Sequence, residues 1–282
     1  MSHVKIRCPS CSANGDIEIS EDYLKNVSKG LLAINIPEDT ICEHTFIAYV
    51  DRNLKVRDYF IADFKIELPD IAPSEKIEEK KIPSKEVINL DLIKLNLSAL
   101  LLTYVLKSIF SKQKIVLVSD QEFLYEHIHN FFNYITRDAF KAEIEIINKQ
   151  DYKKNKKQYQ DCMVFEGNKI LNNIEKIIDD KKLKVEKYFI QSFLSEYDLS
   201  YSYIILKNEI RKSYQLSKAI VDYANEQQIE TIDLKVIVDF LTEKYNLKLQ
   251  KTYLNFIIDI LKYYFEVNVS DTSDVSDFLR FI

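Results

Sequence analysis

The alternation of apolar and polar residues changes character along this chain, and each change marks a different kind of secondary structure. In residues 1–68 the period is two. Ile17 and Ile19 alternate with Asp16, Glu18 and Ser20, and Leu32, Ile34 and Ile36 alternate up to Pro37. Further runs follow from Phe46 to Asp51 and from Lys55 to Leu68. Such alternation belongs to half-buried strands, because successive strand side chains point to opposite faces. Together with Val4 to Arg7 these runs predict five short strands, with Glu21 to Ser28 as an irregular or helical link. Residues 69–86 carry prolines and a charge run from Glu75 to Lys81, which predicts an exposed linker and a domain boundary.

Beyond the linker the apolar stretches lengthen. Leu90 to Ser111 reads as one helix with Leu97, Leu101, Tyr104 and Ile109 turned inward. Lys114 to Val118 is a continuous β-branched strand, Ala142 to Ile147 gives a second strand and Cys162 to Phe165 a third; continuous apolar strands fit a sheet buried on both faces. Between the first two lies a helix from Gln121 to Thr136, for which Ser119 and Asp120 are cap residues and Glu122 completes an S-x-x-E capping box. Residues 87–168 therefore predict an α/β domain with a three-stranded parallel or mixed sheet. Residues 169–282 read as helical: Ile170 to Lys182, Val185 to Ser195, Ser200 to Gln227, Ile232 to Tyr245, Gln250 to Phe265, and a last turn from Ser273 to Ile282. Ile232 to Phe265 has the form of a helix-turn-helix-like unit joined by Asn246, Leu247, Lys248 and Leu249, and its apolar stripes predict core packing.

The candidate chemistry lies in the first fifty residues. Cys8-Pro9-Ser10-Cys11 places two thiols at the spacing that grips one metal from a tight turn, and Cys42-Glu43-His44 supplies a second pair. Cys8, Cys11, Cys42 and His44 are thus the predicted ligands of a structural zinc ion, a closed site with every position taken by protein. A β module of about 65 residues buries little apolar area, so metal binding would contribute to its folding directly. The predicted fold class is α+β multidomain: a small zinc-ribbon-like β domain, an α/β domain and a helical C-terminal region. Cys162, in an apolar run, reads as a small core residue.

Composition narrows the remaining options. Three glycines, Gly15, Gly30 and Gly167, supply neither glycine-rich phosphate-binding pattern, which argues against conventional nucleotide loops. A net charge of -5 argues against a surface built throughout for nucleic acid. The second helix of the helix-turn-helix-like unit offers Gln250, Lys251, Thr252 and Asn255 but no arginine, so DNA reading is a minor alternative. Lys149 to Gln158 carries five lysines and one aspartate and reads as a solvated loop; an acidic partner, a phosphate-bearing ligand or an anionic membrane are alternatives. The strand exit at Ser119 and Asp120, with Asn148, Glu166 and Asn168 at analogous exits, is the candidate ligand crevice of the sheet. His127 and His129, two residues apart on a helix, face different directions and do not form a pair. No nucleophile, base and anion-hole set is recognisable, which leads to the expectation of a non-enzyme. No apolar run approaches the ~20 residues of a membrane span, and Met1 to Cys8 lacks the apolar core of a signal peptide. The expected location is cytoplasmic, where cysteines serve as metal ligands rather than disulfides.

The order CPSC, ICEHTFIAYVD, VRDYF and IVLVSD resembles a group of uncharacterised archaeal proteins with a zinc-ribbon-like head. The resemblance spans most of the chain and implies a zinc head, with no activity attached. That group carries C-x-x-H at the second knuckle, so the shorter Cys42-Glu43-His44 departs from it at the fourth ligand. Leu97 to Ile135 also resembles the helix, strand, helix order of DENN-type modules, which implies a small GTPase as partner. The expected function is a zinc-stabilised protein-interaction or scaffold protein, with regulation of small GTPases or membrane traffic as the alternative.

Overall fold

The computed structural model describes residues 2–9, 11–19, 32–36, 40–44, 46–51, 53–61, 88–196, 199–245, 247 and 249–270. The linker 69–86, the link Glu21 to Ser28 and the turn Ser273 to Ile282 lie outside the described residues. The architecture is a mixture of α and β with several small sheets.

The period-two runs form strands. β1 (Ser2–Arg7) and β2 (Asn14–Ile19) make an antiparallel hairpin in which Arg7 pairs with Asn14. β3 (Leu32–Ile36), β4 (Phe46–Val50) and β5 (Val56–Ile61) make a separate antiparallel sheet with β4 in the centre. Val4, Ile6 and Ile19 of the hairpin meet Leu32, Ile36, Phe46, Ala48 and Val50 in one small core.

All five residues of β4 are buried, and strand alternation explains how. Phe46, Ala48 and Val50 point into the small core, whereas Ile47 and Tyr49 point the other way into the main core of the chain. There the Tyr49 hydroxyl accepts the Ala99 backbone N–H at 2.9 Å. Burial pushes the Tyr49 phenol up to about 12, outweighing that hydrogen bond.

The helical run from Leu90 is broken, which corrects the single helix expected over Leu90 to Ser111. α1 (Leu90–Asn96) and α2 (Ala99–Phe110) meet at 106°. Leu97 and Ser98 adopt extended backbone, and the Ser98 hydroxyl accepts the Leu101 N–H as an N-cap. Leu97, Leu101, Tyr104 and Ile109 are buried as the periodicity predicts. No single helix among the described residues is long and apolar enough to cross a membrane; α1 and α2 have that length and composition only as a bent pair.

The main sheet has four strands rather than the three expected. β6 (Lys114–Val118) is flanked in parallel by β7 (Glu143–Ile147) and β8 (Met163–Glu166), and β9 (Lys169–Asn172) adds antiparallel to β8. β9 and a 3-10 turn at Ile174–Lys176 replace the helix expected over Ile170 to Lys182. The two-residue connection Gly167-Asn168 is the reason: Gly167 sits at φ +53, the left-handed conformation a tight hairpin requires. Ile115, Leu117, Met163 and Phe165 face the main core, and Val116, Val118 and Val164 face a second cluster closed by Tyr152.

α3 (Tyr125–Thr136) follows β6, and the capping box expected before it does not form. Glu122–Leu124 is a 3-10 turn, and no side chain caps α3. α4 (Lys149–Asn155) and a 3-10 turn at Lys156–Tyr159 occupy the lysine segment, so its expected solvated loop is instead a short helix capped by Asn148. α5 (Lys184–Ser195), α6 (Leu199–Glu226), α7 (Leu234–Tyr245) and α8 (Lys251–Tyr263) follow. α7 and α8 are the helices of the helix-turn-helix-like unit, and α8 buries Tyr253, Leu254, Phe256, Ile257, Ile258, Ile260 and Leu261. A stretch that apolar is a core helix, leaving Lys251 and Asn255 exposed on its first turns.

Replacing Tyr49 with Phe keeps the ring and removes the acceptor of the Ala99 N–H. The expected outcome is a loss of about 1–3 kcal/mol in urea-induced unfolding, the cost of a buried donor left unmatched.

Candidate metal centre

Two turns of the head build the site. In the first, the Cys8 N–H donates to the Ala13 carbonyl at 2.7 Å and the Ser12 N–H donates to the Cys8 carbonyl at 2.9 Å. Ser12 takes a left-handed φ of 64, which turns the chain within the hairpin and leaves Cys8 buried and Cys11 exposed. The second turn carries Cys42 and His44 immediately before β4, both partly buried. Gly15 lets the turns meet: a Cβ there would stand 2.6 Å from Cγ1 of Ile41, so only glycine gives that side chain room beside Cys42.

One donor atom from each of Cys8, Cys11, Cys42 and His44 lies within 4.8 Å of all the others. The Cys42 sulfur and His44 Nδ1 are 3.6 Å apart. A tetrahedron with metal–sulfur bonds of ~2.3 Å has edges of ~3.8 Å, so the set is close enough to hold one ion. His44 reaches it despite the single residue between it and Cys42. The His44 N–H is the largest single influence on the Cys42 thiol and favours the thiolate; desolvation and the neighbouring Cys8 and Cys11 thiols outweigh it, pushing Cys42 up to about 11. Three sulfurs gathered in one place resist ionising together, and a cation among them removes that resistance.

The sheet's strand exits converge, but on each other. Lys149 places its ammonium 2.8 Å from Glu166 and 3.9 Å from Asp120, and its backbone N–H donates to Asp120 at 3.0 Å. The ion pair holds the Glu166 carboxyl below its ordinary range, chiefly through the hydrogen bond from Lys149. The Ser119 hydroxyl accepts the Gln121 N–H, Asn148 caps α4, and Asn168 pairs with Ser98 beside the start of α2. The chain's own lysine therefore occupies the crevice where an open sheet offers a ligand site. His127 and His129 are both partly buried on α3. Cys162 is partly buried against the Val116, Val118 and Val164 cluster.

A buried charge network went unseen in the sequence. Lys107 of α2 lies 2.6 Å from Asp259 of α8 and 3.8 Å from Glu186 of α5; the Lys107 and Glu186 side chains are 5% and 2% exposed. Glu186 Oε2 has no partner among the described residues. Burial alone would lower Lys107, but the carboxylates of Glu186 and Asp259 reverse it and the ammonium is raised. Burial also dominates at Glu186, which is raised despite Lys107. The available signal was a lysine inside an otherwise apolar helix, which needs a counter-charge.

No family model matches the chain, and no curated protein matches it.

Gly15→Val should push Ile41 away and lower the metal content of purified protein severalfold, read by elemental analysis. Lys107→Met strands Glu186 and should cost about 3–5 kcal/mol at neutral pH, whereas Lys107→Met with Glu186→Gln should recover most of the loss. Folding raises the Glu186 pKa above its ordinary 4.5, so the folded state holds that proton more tightly than the unfolded chain. Its contribution is present below 4.5 and falls as pH rises toward the folded value; Glu186→Gln should flatten the stability profile there.

Proposed function

We propose that this chain is a zinc-stabilised protein-interaction or scaffold protein, in which Cys8, Cys11, Cys42 and His44 hold one structural zinc ion. The observation that carries the reading is the convergence of these four donors from two turns of a small β head. Thiolate and imidazole donors suit zinc, and four of them complete its tetrahedron without calling on water. The ion's role is therefore to fix the head rather than to activate a substrate. The head's own core is small, with nine buried hydrophobic residues among those described, so a metal would add substantially to its stability.

Support for the interaction role comes from the surface. Phe123, Tyr201 and Tyr263 are 59%, 50% and 39% exposed, and large aromatic side chains left in water are the anchors protein interfaces use. A protein is the partner this reading expects.

The test is metal content first. Protein purified without added zinc should contain about one ion per chain, and Cys8→Ser or Cys42→Ser should lower this severalfold and raise the protease sensitivity of residues 2–61. An ion content near zero, with a head that resists protease equally in parent and variants, would refute the zinc reading. The interaction reading is tested by quantitative cross-linking of native, Phe123→Ser and Tyr201→Ser protein in cells. A discrete cross-linked species weakened by either substitution supports it, and a chain that cross-links to nothing refutes it.

A further inference from the structure

We propose that the concave face formed by α4, the 3-10 turn after it and β9 binds a small polyphosphate anion, of the size of a nucleoside di- or triphosphate. The concavity measures about 720 Å³, within the ~300–1,000 Å³ of small-ligand sites. Lys153, Lys154, Lys156 and Lys157 line it, and no carboxylate does. Among the described residues none of these four lysines has an ion-pair or hydrogen-bond partner. Lys149, in the same segment, is instead tied to Glu166 and Asp120. Four uncompensated cations on one turn of an acidic chain form a local positive field that a compact polyanion neutralises better than any single carboxylate.

The floor beneath the lysines is built rather than loose. The buried Tyr152 ring packs on Val116, Val118 and Val164 of the sheet. The Asn172 side-chain amide donates to the Gln160 and Cys162 carbonyls at 2.8 and 2.9 Å and, at 3.4 Å, to that of Tyr159, fastening the turn to β9. The Tyr159 hydroxyl donates to Glu145 at 3.2 Å, which fixes the tyrosine ring that lines the concavity. Leu171, 37% exposed, gives the rim an apolar surface against which a flat ring can lie. Lysine ammoniums are point charges that need no glycine loop, so this mode of phosphate binding is open to a chain with three glycines. Four charges grouped at one concavity, rather than strung along a groove, favour a compact ligand over a nucleic-acid strand.

The full chain should be titrated calorimetrically with inorganic tripolyphosphate, with ATP and with adenosine, at low and at physiological salt. Both polyphosphates should bind, more weakly as salt rises, and adenosine should not. Lys154→Glu with Lys157→Glu should raise both dissociation constants at least about tenfold, while the charge-matched Lys235→Glu with Lys251→Glu leaves them within about twofold. ATP binding tighter than tripolyphosphate, with the advantage lost in Leu171→Ala, assigns the ligand as a nucleotide; equal affinities assign the polyphosphate group alone. The proposal is overturned if neither polyphosphate binds at millimolar concentration, if the two double variants weaken binding equally, or if a single-stranded oligonucleotide binds far more tightly than ATP with affinity that grows with its length.

Discussion

The rest of the structure depends on β4 being buried on both faces. One face, Phe46, Ala48 and Val50, closes the small core of the head; the other, Ile47 and Tyr49, is embedded in the main core. A strand has only two faces, so a five-residue element joins two cores without a helix or a loop between them. Tyr49 adds direction to this apolar contact, because its hydroxyl meets the Ala99 N–H at the first turn of α2. The turn that carries Cys42 and His44 lies immediately before the same strand, so the position of these two donors is referred to the body of the protein as well as to the hairpin. α5, which lies against β3, β4 and β5, continues the contact.

Charge is handled in three different ways. Lys107 and Glu186 are buried where three helices meet, with the partly exposed Asp259 at their edge; there low polarity strengthens each attraction and makes an unmatched Glu186 expensive. Lys149 is half in water and closes the crevice at the ends of β6 and β8. The next four lysines, one turn further on, meet no counter-charge among the described residues. The contrast is a matter of geometry: the start of α4 faces the carboxylates at the strand exits, and the last turn of α4 with the 3-10 turn after it has carried the chain past them.

Much of the candidate metal site was legible because its signals are local. Cys8 and Cys11 are brought together by one turn, and Cys42 and His44 by another, so spacing alone names the four donors. Whether those turns meet was not local, since it rests on Gly15 leaving space for Ile41. β9 was legible in principle from Gly167-Asn168, a two-residue hairpin signal that the apolar Ile170 and Leu171 masked. The break between α1 and α2 was harder: Ser98 favours a cap, but the unbroken apolar run on both sides of it masks that preference, and the break is fixed by what the two segments pack against.

By itself the sequence determined the period of most segments, and with it the five head strands, the buried strands β6 and β8 and the long helices from residue 184, because the apolar pattern reports which side of an element meets water. It also determined the four sulfur and imidazole donors. Only the tertiary structure decided where elements touch: that β4 serves two cores, that Lys107 finds Glu186 and Asp259 across distances of 79 and 152 residues, and that Lys149 fills the strand exit. Such pairings leave no trace in a local pattern, since the residues involved are neighbours only after the chain has folded and the free energy that selects them belongs to the packed whole.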